Sequence, residues 1–167
     1  MLKHLNKILI IIILGVLGVV VWYYFSHTKT QSVPYYVNSP KLETKLLIAT
    51  QGSELKTAVV NGVVDHYKDE DIYIKVIDVY SLFSVNLEKW DAVVILNSWQ
   101  YWTPSKNVME FLKESKGKQD KLVVLSTSGD PDVEGIDAIS GESIKEKIPE
   151  YTEEIILRVD KILNRTK

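Results

Sequence analysis

Cysteine is absent from this chain, and its absence excludes thiolate nucleophiles, iron–sulfur ligation and redox disulfides. Histidine is scarce. His4, His27 and His66 stand far apart, none with a second ligand at the spacing a metal site uses. The order of residues offers no Ser-His-Asp grouping and so no nucleophile–base pair for a hydrolase. No basic patch interleaved with aromatics stands out, which sets nucleic acid aside as a partner. Internal repeats and low-complexity tracts are missing too. The net charge is −2. Leaving out Lys3, Lys7 and Lys29 makes the remainder more acidic still.

What is present begins with an uncharged apolar run over residues 8–25. At about 1.5 Å per residue it nearly spans a hydrocarbon core about 30 Å thick. Trp22, Tyr23, Tyr24 and Phe25 close it like an interfacial aromatic belt. The run is therefore expected to be an uncleaved transmembrane anchor. A cleaved signal peptide is the competing reading, but its apolar region is usually about 7–15 residues, followed by a small-x-small site that is missing here. Lys3 and Lys7 before the run, against Lys29 after it, favour a single-pass membrane protein with the domain outside the cytoplasm. The chain then divides into a flank (1–7), an anchor (8–25), a polar tether with Pro34 and Pro40 (26–44) and a domain (45–167). An edge strand at residues 33–37 is the alternative for part of the tether.

Inside the domain, three apolar runs each change abruptly to hydroxyls, amides or glycine. They are Leu46-Leu47-Ile48-Ala49-Thr50-Gln51-Gly52-Ser53, Ala92-Val93-Val94-Ile95-Leu96-Asn97-Ser98-Trp99 and Leu122-Val123-Val124-Leu125-Ser126-Thr127-Ser128-Gly129. Continuous apolar runs are the mark of parallel strands buried on both faces. Residues 72–79 and 135–139 supply two further strands. Helical spacing appears over 53–68, with Leu55, Val59, Val63 and either Val60 or Tyr67 inward, and again over 105–115 and 143–163. Residues 81–89 read as a loop or short helix. Gly117 is placed to end the second of these helices, and Pro149 marks the last helix's first turn or a kink. Ser143, with Glu146 three residues on, has the form of a capping box. Alternation of strand and helix predicts an α/β fold: a three-layer, doubly wound, five-stranded parallel sheet in the order 2-1-3-4-5. In such sheets ligands sit outside the carboxyl ends of the strands, at the switch point where strands one, three and four lie together.

Over residues 45–163 this order of elements and loops resembles the flavodoxin family, and the fold it implies is flavodoxin-like. The resemblance implies non-covalent FMN in that crevice. The family's first loop wraps the phosphate with a Ser/Thr-x-x-Gly-x-Thr pattern. Here the loop is Ala49-Thr50-Gln51-Gly52-Ser53-Glu54, continued by Leu55-Lys56-Thr57-Ala58. Gly52 and Ala58 match, while Ala49 and Glu54 depart from the pattern. Thr50, Ser53 and Thr57 could supply hydroxyls, with Gln51 in the loop and Lys56 as a counter-charge. The second loop, Asn97-Ser98-Trp99-Gln100-Tyr101-Trp102, stands where the family places an aromatic against the flavin. Trp99 and Tyr101 lead as stacking residues, followed by Trp102. The third loop, Ser126-Thr127-Ser128-Gly129, stands near the flavin's pyrimidine edge. The stretch ending at Ser143 also resembles the attachment motif of covalent FMN-binding domains, although the strand–helix alternation does not suit that fold.

The resemblance implies an electron carrier or FMN-dependent oxidoreductase, with a redox partner protein or a quinone at the membrane. The rival expectation keeps the fold and loses the flavin. Ala49 and Glu54 would then mark a degenerate site, and the aromatic loop would serve protein binding or scaffolding.

Overall fold

The computed structural model describes residues 2–26, 32–99, 105–127, 136 and 138–164, with side chains in the first helix described at 7 and 10–22. It divides into two compact units, Met1–Thr30 and Gln31–Lys167.

The first unit holds one helix, α1 (Leu2–Ser26). Ile10, Leu14, Leu17, Val21 and Trp22 are all exposed on it. Among the described residues, no helix is long and apolar enough to cross a membrane. This overturns both the expected transmembrane anchor and the single-pass membrane location.

In the second unit, the three apolar runs become the centre of a sheet. Its strands are β1 (Tyr35–Val37), β2 (Thr44–Thr50), β3 (Ile72–Asp78), β4 (Ala92–Ser98), β5 (Leu122–Thr127) and β6 (Ala138–Gly141). Their spatial order is β1-β3-β2-β4-β5-β6. The expected five-stranded sheet is thus corrected to six strands. The five parallel strands keep the predicted 2-1-3-4-5 order, while β1 adds an antiparallel edge, pairing Tyr35 with Val76 and Val37 with Ile74. β1 realises the edge strand offered as the alternative for residues 33–37, although its three residues are too few to display a period. Its anchor is Asn38, which adopts φ 67°. The Asn38 amide donates to the Glu70 and Ile72 carbonyls at 3.1 and 2.9 Å.

Two apolar layers cover the sheet. On one face, Leu46, Ile48, Val94 and Leu125 pack under α2 (Glu54–Tyr67) and α4 (Ile148–Ile162), meeting Val59, Val63, Tyr151 and Ile155. Val60 and Tyr67 are both buried there. The Tyr67 hydroxyl donates to Asp160 Oδ1 at 2.9 Å and so ties the end of α2 to α4. On the other face, Leu47, Ala49, Ile95 and Val124 meet Val108 and Phe111 of α3 (Lys106–Glu114). Gly117 takes φ 82° in the turn after α3.

The crossover from β3 to β4 carries no α-helix. Two 3₁₀ segments, Val79–Ser84 and Leu87–Lys89, fill its place. The apolar positions of this stretch, Val79, Leu82, Val85 and Leu87, are too closely spaced and too few for a helical stripe. α4 starts at Ile148 with Pro149 in its first turn, so Ser143 is not its cap. Ser143 lies in exposed coil after β6.

Candidate functional site

Strand pleating sorts the polar strand ends into two sets, because successive side chains point to opposite faces. Thr50, Ser98 and Thr127 belong to the face covered by α2 and α4. Gln51, Asn97 and Ser126 belong to the face covered by α3. Register places Asn97 beside Ser126 and Ser98 beside Thr127. The three expected loops therefore leave the sheet side by side at the switch point, as the doubly wound order requires.

The first set is knit together by a lysine. Ser53 caps α2, its hydroxyl accepting from the Lys56 backbone N–H at 3.3 Å. Lys56 is only 2% exposed. Its ammonium reaches across to Ser98 Oγ at 2.6 Å and lies 3.5 Å from Ser53 Oγ. Ser98 Oγ and Thr127 Oγ1 are 2.9 Å apart and share a hydrogen bond. The Gln51 side chain folds over the end of β4, where its Oε1 accepts from the Ser98 N–H at 2.9 Å. A buried charge is stable only when hydrogen-bonded; here Ser98 of β4 and the Ser53 cap contact the ammonium, with Thr127 of β5 behind Ser98.

The second set is less satisfied. Gln51 Nε2, Asn97 Oδ1 and Ser126 Oγ are buried and have no hydrogen-bond partner among the described residues. Gln51, Asn97 and Ser126 are 3%, 2% and 0% exposed. Buried polar atoms are hydrogen-bonded in the great majority of cases, so a cluster of exceptions at one sheet edge marks a place for a ligand or water.

Glu54 opens α2, yet its carboxylate turns outward to the Lys145 ammonium at 2.7 Å. A carboxylate beside a phosphate would oppose it by charge, but here it faces away from the helix N-terminus. The first-turn N–H groups of Glu54 and Leu55 have no acceptor within their own helix. A helix N-terminus with such donors favours an anion.

The remaining expected residues fall as follows. Thr50 is buried, and its hydroxyl makes a long contact to the Gln51 carbonyl. Thr57 is exposed, with its N–H bonded to the Ser53 carbonyl. Gly52 lies half-buried in the turn from β2 to α2. Trp99 is half-buried, and its N–H extends the β4–β5 pairing by donating to the Thr127 carbonyl at 3.2 Å. Tyr101, Trp102, Ser128 and Gly129 lie outside the described residues. Among the described residues, no group of three acidic or histidine side chains could hold a metal ion.

The inward turn of Lys56 is the feature sequence reasoning missed. Its signal was there, because residues 56, 59, 60 and 63 follow the spacing of one helix face. A lysine on that apolar stripe has to be buried or snorkel.

No protein-family model and no curated protein sequence matches this chain. Solved structures resemble it in fold. A flavodoxin from the domain Archaea is 15% identical, with a TM-score of 0.47, over 72% of this chain and 99% of that one. The flavodiiron core from Synechocystis is 11% identical, with a TM-score of 0.49, over 76% of this chain and 38% of that one. General stress protein 14 from Treponema denticola, solved in complex with FMN, is 12% identical, with a TM-score of 0.44, over 71% of this chain and 99% of that one. The strand order defines the unit that holds the crevice as a flavodoxin-like domain.

Proposed function

We propose that this chain binds FMN non-covalently in the crevice at the ends of β2, β4 and β5, and that it acts as an electron carrier or FMN-dependent oxidoreductase. One observation carries the reading: among the described residues, three buried polar atoms at this edge, Gln51 Nε2, Asn97 Oδ1 and Ser126 Oγ, have no partner. Their chemistry fits a flavin's pyrimidine edge, which offers acceptor, donor and acceptor in a row. Gln51 Nε2 and Ser126 Oγ donate, and Asn97 Oδ1 accepts. The N–H groups of Glu54 and Leu55 serve the phosphate, with the buried Lys56 ammonium adding positive charge. Trp99, Tyr101 and Trp102 supply aromatic surface for the ring system. FMN, when bound, supplies the one- and two-electron chemistry, and the protein supplies binding, orientation and electrostatics. The acidic balance of the chain suits a basic redox partner. A quinone is the other acceptor class.

The test is a titration of FMN into the purified full chain, read by quenching of flavin fluorescence and a protein-dependent absorption shift. Micromolar binding is expected, weakened by Asn97→Leu and by Trp99→Ala or Tyr101→Ala. Absence of binding at micromolar FMN refutes the proposal. It favours the second reading, a flavin-free binding module, for which the internally satisfied Lys56–Ser98–Thr127 network speaks.

A further inference from the structure

Away from the strand ends, the β3–β4 side of the sheet carries a cavity of about 390 Å³. It exists because the β3–β4 crossover uses 3₁₀ segments where a helix would otherwise lie. Leu47 and Ile77 line it from the sheet, and Trp90, Asn86, Lys75 and Lys89 line it further out. The volume falls within the range of small-molecule sites, about 300–1,000 Å³.

Its walls are fastened. The Trp90 indole stacks on Tyr73, with ring centroids 6.0 Å apart and planes at 17°. The Trp90 carbonyl accepts from Lys121 Nζ at 3.0 Å. Asn86 Oδ1 caps the second 3₁₀ segment by accepting from the Glu88 N–H at 3.0 Å, which leaves its Nδ2 as a donor. Glu88, the acid beside Lys89, is paired with Lys118, and Asp91, beside Trp90, accepts from the Lys45 N–H. Lys75 and Lys89 are exposed, and neither is in an ion pair among the described residues. Two unneutralised cations at a cavity of mixed lining, with Trp90 as its one aromatic wall, are complementary to an anion with an apolar body.

We propose that this cavity is a binding site for a small amphipathic carboxylate, its hydrocarbon or aromatic body against Pro34, Val85 and Trp90 and its anionic head between Lys75 and Lys89. The site is separate from the FMN crevice and does not depend on it.

The experiment uses the ¹⁵N-labelled full chain, with 4-phenylbutyrate as probe and 4-phenylbutyramide as its uncharged match. Millimolar 4-phenylbutyrate is expected to shift the amide resonances of residues 75–77 and 84–90. The Lys75→Gln/Lys89→Gln double variant should weaken binding about tenfold, and Lys113→Gln should leave it unchanged. The amide should bind at least tenfold more weakly than the acid. The proposal is overturned by equal binding of acid and amide, by shifts centred on other residues, or by no shifts at 10 mM probe. It is equally overturned if the double variant binds as well as the parent. Adding FMN afterwards should leave the probe's affinity unchanged.

Discussion

Gly141 ends β6 where the Tyr151 ring lies against the backbone. A Cβ at this position would stand 2.6 Å from Tyr151 Cζ, 2.9 Å from Cε1 and closer still to the hydroxyl. Carbon atoms pack best at about 3.5–4.0 Å, so the ring or the strand has to move by more than about 0.5 Å. The ring has little room, because Tyr151 is 2% exposed in the core under α4. Movement also breaks the bond from its hydroxyl to the Glu142 carbonyl, now 2.9 Å long. Overpacking costs about 1–3 kcal/mol, and the lost hydrogen bond about 1 kcal/mol. Gly141→Ala is therefore expected to destabilise by about 2–4 kcal/mol, a drop of about 10 °C in melting temperature. Urea denaturation followed by circular dichroism measures it. A double-mutant cycle sharpens the test. In a Tyr151→Leu background the obstructing ring is gone, so Gly141→Ala should cost less than about 0.5 kcal/mol. If Gly141→Ala stays within 0.5 kcal/mol of the parent, or costs the same in both backgrounds, the argument from close approach is wrong.

Three further outcomes follow from described contacts. Asn38→Ala forfeits two hydrogen bonds and places an ordinary residue at φ 67°. It should destabilise by about 1–3 kcal/mol, with Asn38→Gly recovering the backbone share in the same denaturation assay. The Lys118 ammonium, by hydrogen bond and then by charge, holds the Glu88 carboxyl below its ordinary 4.5. A depressed carboxyl adds stability that is present above the unfolded value and is lost as pH falls through the folded one. The parent should thus exceed Glu88→Gln in stability at pH 7, and the gap should close in acid below pH 4.5. A gap independent of pH would be fatal to the ion-pair account. Because the Glu54 carboxylate is engaged with Lys145, Glu54→Thr should leave FMN affinity within about twofold of the parent in a fluorescence titration. A large tightening would mean the carboxylate opposes the phosphate after all.

The interior of the sheet was legible where burial is two-sided. β2, β4 and β5 are covered on both faces, so their sequences carry no polar interruption until the strand ends. The switch-point order followed from alternation alone. The edges were less legible. β6 is four residues long and β1 three, below the length at which alternation becomes a pattern. The apolar residues of α1 gave a strong composition signal, yet composition alone does not decide how much of a helix can span lipid. Within the site, the loops and their hydroxyls were readable one by one. The cross-strand link from Lys56 to Ser98 was not, because it joins residues 42 apart and depends on register that only the folded sheet provides. The reduced β3–β4 crossover, and the cavity it leaves, also have no local sequence mark beyond a stretch too short to form a helix.

β1 has one more consequence. Unpaired edge strands invite other chains to add on, and proteins blunt them by shortening them and flanking them with proline. β1 lays a three-residue stub over the flank of β3. Pro34 precedes it, Asn38 turns the chain away at its end, and Pro40 follows. The opposite flank closes with the nearly as brief β6. A central block of longer, largely buried parallel strands is thus sealed at both margins by pieces too short to template growth. Deleting residues 32–38 should turn a monomer-compatible sheet into one prone to fibrillar assembly.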